Sequence, residues 1–122
     1  MTLVVLVCGG RDFNDNELVR RTLAHLLNYD DVEIIQGGAR GADRLGKMFA
    51  EDHSLRGKTF EADWDQYGRR AGPIRNHEML NYLLTRREQG DKVCVIAFPG
   101  GKGTDFMSEI ADKAGIPILK RV

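Results

Sequence analysis

With 122 residues, the chain has room for little more than one hydrophobic core and is expected to form a single domain over residues 1–122. Hydrophobic residues make up 42% and charged residues 30%, and 18 Lys and Arg balance 18 Asp and Glu, so no global basic field draws the chain to nucleic acid. The apolar run at 3–8 is too short to span a bilayer and lacks the flanks of a secretory signal, so no membrane association and a cytoplasmic location are expected.

In chain order, short β-branched runs alternate with stretches of helical periodicity, which is the βα signature. Strands are predicted at 3–8 (LVVLVC), 32–36 (VEIIQ), 58–61 (KTFE), 92–98 (KVCVIAF) and 117–119. Between them, Leu18, Thr22, Leu23 and Leu26 mark one helical stripe, Leu45, Met48, Phe49 and Asp52 a looser second, and Met79, Leu80, Leu83 and Leu84 a third. A fourth helix is predicted over 105–114 with Phe106, Ile110 and Ala114 facing inward. Gly57, Gly90 and Gly115 stand where helices stop before strands, and Pro73 suits a first helical position. Cys8 and Cys94 lie inside apolar strands and read as buried thiols, and His25, His53 and His77 stand apart, so neither a disulfide, a metal nor a cofactor is expected.

Near-continuous apolar runs in the first and fourth strands imply burial on both faces. The fold class is therefore α/β: a Rossmann-like doubly wound parallel sheet of about five strands, order 3-2-1-4-5, with helices on both faces. In such a sheet ligands sit at the carboxyl edge where the winding reverses, here between the first and fourth strands. The loops leaving that edge are GGRDF at 9–13, GGARGADR at 37–44, the long loop 62–76, and PGGKGT at 99–104, and they hold ten of the fourteen glycines. Paired glycines at three strand ends suit close approach of a ligand to the backbone; tight βα turns explain them as well.

Helix N-termini at these loops favour an anion, and phosphate is the natural guest. The expected ligand-binding residues are Gly9, Gly10, Arg11, Asp12, Gly37, Gly38, Ala39, Arg40, Gly41, Asp43, Arg69, Arg75, Asn76, Pro99, Gly100, Gly101, Lys102, Gly103 and Thr104. Arg75 is the best placed cation, because a helix starting at Pro73 sets Arg75 and Asn76 in its first turn, where a cation opposes the dipole unless an anion is bound; a solvated arginine, or one paired with Asp63 or Asp65, is the alternative. Trp64 and Tyr67 supply flat faces for a base, although packing on the sheet edge or a dimer contact accounts for them equally. Asp12 and Asp43 suit either ribose hydroxyls or turns and caps. The segment GADRLGKM mimics a P-loop but has Met48 where a hydroxyl is needed, Gly57-Lys58-Thr59 runs into a strand, and GGRDF lacks the third glycine of a dinucleotide fingerprint.

Together, GGRDF, GGARGAD, YGRRAGPIRN and FPGGKGT resemble, in order and over essentially the whole chain, the SLOG superfamily of Rossmann-like proteins, most closely its YspA-like branch. The resemblance implies a binder or processor of nucleotide-derived ligands, related to the cytokinin-activating phosphoribohydrolases (lysine-decarboxylase-like) and to the DNA-processing protein DprA. In the phosphoribohydrolases the motif is P-G-G-x-G-T-x-x-E, and this chain has Met107 at the glutamate position. Glu109 lies about 200° further round an ideal helix and does not simply replace it. The expected function is thus binding of a nucleotide-type small molecule, as a sensor or sequestering module. The alternative is N-glycosidic hydrolysis of a nucleoside monophosphate by Asp12, Asp43 or Glu109, and relatives that build the site between subunits make a homodimer an expectation. Single-stranded nucleic acid is disfavoured, since seven Lys and Arg in the four loops face four Asp.

Overall fold

The structure, a computed structural model, describes residues 1–121. Five parallel strands, β1 (Leu3–Cys8), β2 (Val32–Gln36), β3 (Arg56–Thr59), β4 (Lys92–Ala97) and β5 (Ile118–Lys120), form one sheet in the order β3-β2-β1-β4-β5. Helices α1 (Asn16–Leu23) and α2 (Ala42–Asp52) pack on one face. Helices α4 (Ala71–Glu88) and α5 (Lys102–Lys113) pack on the other, and a single turn, α3 (Trp64–Tyr67), precedes α4. The fold is the α/β Rossmann-like arrangement that the alternation of apolar runs predicts.

Burial explains the central pair of strands. Val4 and Leu6 point into the core under α4 and α5, while Val5 and Val7 point into the core under α1 and α2. All four are fully buried, so β1 reads as a continuous apolar run. Gly46 lets α2 lie close on β1, where an added Cβ would stand 2.9 Å from Val7. In β2, buried Glu33 is matched by α4: Arg86 reaches it at 3.1 Å and bonds Asp91 at 2.7 Å, and the Tyr82 hydroxyl donates to Glu33. Such groups are tolerated inside only when paired, so this network fixes the long crossover from β3 to β4 against the sheet.

Several boundaries depart from the sequence expectations. The third strand is Arg56–Thr59, two residues earlier than expected, and Gly57 sits within it rather than stopping a helix. It is an edge strand with an exposed face, so no apolar alternation marks it, and the positive-φ residue after α2 is Ser54 at 55°. Met48 and Asp52 are exposed on α2; the residues that face the core are Ala42, Asp43, Gly46, Phe49 and Ala50. Helix α5 starts at Lys102, not Asp105, and buries Thr104, Met107, Ser108 and Ala111, whereas Phe106, Ile110 and Ala114 are only half-buried. Large side chains drew the expected stripe to the flank, while the inward face uses small and polar ones. Much of the segment at 62–76 is helical, and Pro73 is the third residue of α4, where its missing N–H is still harmless. Both cysteines are free, with Cys8 buried as expected and Cys94 only half-buried.

Candidate functional site

Because β1 lies between β2 and β4, the winding reverses beside it, and the loops leaving β1 and β4 emerge side by side. The ladder continues past the strands: the Phe98 N–H donates to the Cys8 carbonyl at 2.8 Å and the Gly10 N–H to the Pro99 carbonyl at 2.9 Å. GGRDF and PGGKGT therefore meet on one rim of the sheet. Together with α4 and the start of α2 they enclose a pocket of about 860 Å³.

Most of the expected site residues line this pocket. Gly9, Gly10, Arg11 and Asp12 come from the first loop, Ala39 and Asp43 from the second, Trp64, Arg69, Arg75 and Asn76 from the α3–α4 region, and Pro99 through Thr104 from the fourth. Gly37, Gly38, Arg40, Gly41, Tyr67 and Glu109 do not line it. Arg40 pairs with Asp12 at 3.1 Å on the surface, and Glu109 pairs with Lys113 at 3.0 Å on the outer side of α5. Phe13, Met79, Phe106 and Met107 add apolar wall; the last three lie on α4 and α5, where an apolar residue at helical spacing looks the same in sequence whether it faces core or cavity, and Phe13 sits in the first loop.

The glycines divide into two sets. A Cβ on Gly9 would stand 2.5 Å from Ala42, one on Gly10 3.0 Å from the Pro99 carbonyl, and one on Gly37 2.6 Å from the Arg75 guanidinium. Gly41, at φ 82°, presses on the Gly10 and Arg11 carbonyls. Close packing within the protein accounts for these four without a ligand, and of them only Gly41 also has the positive φ of a tight turn. Gly103 has nothing within 4 Å of its Cβ position and sits in the first turn of α5 at the pocket.

Arg75 is held differently from the expectation. It is the fifth residue of α4, beyond the first turn, so the dipole argument for it lapses. Its Nη1 donates to the Gly37 carbonyl and its Nε donates to Asn76 Oδ1 at 3.0 Å; Asn76 Nδ2 in turn donates to the Gly103 carbonyl at 3.2 Å. Asn76 is buried and bonded through both its oxygen and its nitrogen, a strap between Arg75 and the fourth loop. Arg75 ends beside Asp43, not beside Asp63 or Asp65. The Asp43 carboxylate accepts the Gly37 N–H at 3.1 Å and the Ala39 N–H at 3.4 Å, and burial nevertheless pushes its pKa up to about 6 against the pull of these donors and of Arg75. Below it, burial, reinforced by the Asp43 charge, raises the Cys8 thiol to about 12 and leaves it unreactive.

Helix α5 opens at Gly101, φ 85°, so the free N–H groups of its first turn sit at the pocket. Thr104 is 9% exposed, lines the cavity, and its hydroxyl takes part in no side-chain hydrogen bond among the described residues. At the mouth, the Arg11 guanidinium lies 5.7 Å from the centre of the Trp64 ring, and Trp64 is half exposed. Met107, in the position where the phosphoribohydrolase motif carries glutamate, is 1% exposed and adds only an apolar surface. The arrangement offers a cationic, amide-lined floor, one buried carboxylate and, at the mouth, a half-exposed indole face.

The family model described as YspA, cpYpsA-related SLOG family matches residues 3–67, which include the first two glycine-rich loops and Trp64. The chain is also similar to the Gene 61 protein of Mycobacterium phage D29, at 35% identity over 124 residues that cover 94% of this chain and 93% of that protein.

Proposed function

This chain belongs to the YspA, cpYpsA-related SLOG family, and from that premise we propose that it binds a nucleotide or nucleotide-derived phosphorylated ligand at the carboxyl edge of its sheet, as a sensor or sequestering module. The observation that carries the reading is the first turn of α5, where open N–H groups and the free Thr104 hydroxyl share one pocket with the fixed guanidinium of Arg75. Amides at a helix N-terminus and an arginine fork are the standard means of holding phosphate in a low-dielectric site. Arg75 suits this because two of its nitrogens are already anchored by the protein, so little side-chain entropy is lost when the remaining N–H groups take a ligand. Trp64 with Arg11 supports a base at the mouth.

The substitution Thr104→Val tests this with little change of shape. Calorimetric titration with a panel of nucleoside mono- and diphosphates is expected to show binding to the parent protein and a loss of about 1 kcal/mol, or roughly fivefold in affinity, in the variant. Equal affinities in a folded variant remove the α5 turn from the site.

One observation favours a second reading, hydrolysis of the N-glycosidic bond: Asp43 is a buried pocket carboxylate with a pKa raised by burial to about 6, the range of a general acid or base. Release of free base from nucleoside monophosphates, abolished by Asp43→Asn, is the result that this alternative requires. Against it stands Met107, which leaves the motif without its glutamate.

A further inference from the structure

A second concavity lies away from the pocket, on the sheet face that carries α1 and α2. Those helices serve β1, β2 and β3, and neither belongs to a connection that returns over β4 and β5, because α4 and α5 pack on the opposite face. The thinly covered part of the face forms a groove of about 880 Å³ floored by half-buried Leu3 and Cys94, with buried Ile96 at its inner edge. Its borders hold two of the largest exposed apolar side chains of the chain, Tyr29 at 53% and Leu119 at 49%. Parallel sheets are ordinarily covered on both faces, so this is a place where a layer of the fold is missing.

Charge around the groove is one-sided. Arg21, Arg87, Lys92 and Arg121 line it against a single carboxylate, Asp91, in a chain whose acids and bases are equal in number over its whole length. Asp91 is not free to balance them, since it accepts the Thr2 N–H at 2.9 Å and Arg86 at 2.7 Å. Arg21 meets only the outlying Glu17, at 3.4 Å. On the wall, Thr22 is 7% exposed and its hydroxyl has no partner among the described residues.

We propose that this groove is a docking site for an amphipathic helix of a partner protein that carries acidic residues beside its apolar stripe. Three features select that occupant. The strand β4 is six residues long, about 20 Å at 3.3 Å per residue, which matches roughly 13 residues of helix. A helix laid there supplies the missing layer over Leu3, Cys94 and Leu119, and its acidic flanks meet the cations. A second copy of the chain docking groove to groove brings the two cationic rims together, which disfavours that occupant.

The test uses a 14-residue synthetic peptide with leucines at i, i+3, i+4 and i+7 and glutamates on the flanks, and the same peptide with lysines in place of the glutamates. Fluorescence anisotropy is read with the parent protein and with Leu119→Glu and Lys92→Glu, both at exposed positions, each checked for folding by circular dichroism. The acidic peptide is expected to bind at least tenfold more tightly than the basic one and to lose most of its affinity in both variants and at high salt. Equal affinity for the two peptides, or no binding of the acidic one, overturns the proposal. So does a concentration-dependent dimer of the protein alone that Leu119→Glu dissociates, because the occupant is then a second copy.

Discussion

Asp43 concentrates the physical tension of the site in one residue. Its carboxylate is buried, and the pKa of about 6 records that two backbone N–H groups and Arg75 do not fully offset the loss of water. A folded-state value above the unfolded value of 3.8 means that the native protein holds this proton more tightly than the unfolded chain. The associated stability is whole below pH 3.8, falls as the pH climbs toward 6, and is gone above it. A rise from 3.8 to about 6 corresponds to about 3 kcal/mol as an upper figure. Asp43→Asn keeps the side-chain oxygen without the charge, so it is expected to be more stable than the parent by about 2 kcal/mol at about pH 8 and to lose that advantage near pH 4. Urea unfolding across this range checks it; a stability difference independent of pH contradicts the burial of an ionised carboxylate. A pocket carboxylate whose ionisation costs stability at neutral pH is a candidate for service in the pocket.

At the scale of the element, the glycine-rich turns separate folding from binding. Gly41→Ala forces a Cβ onto the Gly10 and Arg11 carbonyls at a positive φ and is expected to destabilise the fold by about 2 kcal/mol or more. Gly103→Ala meets nothing and replaces glycine in the first turn of α5, so it is expected to raise stability by a few tenths to about 1 kcal/mol while weakening the ligand, whose approach the methyl group narrows. Thermal unfolding and calorimetric titration of the two variants read both effects; a destabilised Gly103→Ala protein, or one with full affinity, contradicts the assignment. The sequence places glycine in both turns with nothing to tell them apart, since the distinction lies in which atoms from distant segments arrive at each Cβ position. The same holds for β3 and α5. An exposed edge strand such as RGKT has no apolar face to betray it, and a helix whose inner face is Thr104, Met107, Ser108 and Ala111 conceals its own orientation.

The whole molecule was legible where burial dominates composition. LVVLVC is apolar because both faces of β1 are covered, and KVCVIA because one face of β4 packs under α4 and α5 while the other is only partly covered; once they are neighbours the handedness of βα connections dictates the remaining order. The pocket followed from that order alone, since the reversal of winding beside β1 opens one rim. What did not follow was the anchoring of Arg75 by Gly37 and Asn76, a set of contacts spanning three segments. Because the pocket is assembled from all of these segments, any ligand that fills it adds to the few direct contacts between the loops, and binding should register as global stability. At a ligand concentration of about 100 times the dissociation constant the gain is about 2.7 kcal/mol. For a chain of this size, at about 4 °C per kcal/mol, the midpoint of thermal unfolding is expected to rise by roughly 10 °C. Inorganic phosphate is expected to give a fraction of that shift and an uncharged nucleoside less still, because the first occupies only the amide and guanidinium floor and the second only the Trp64 face. A nucleoside that stabilises as strongly as its monophosphate locates the binding energy at the aromatic mouth instead of at the first turn of α5.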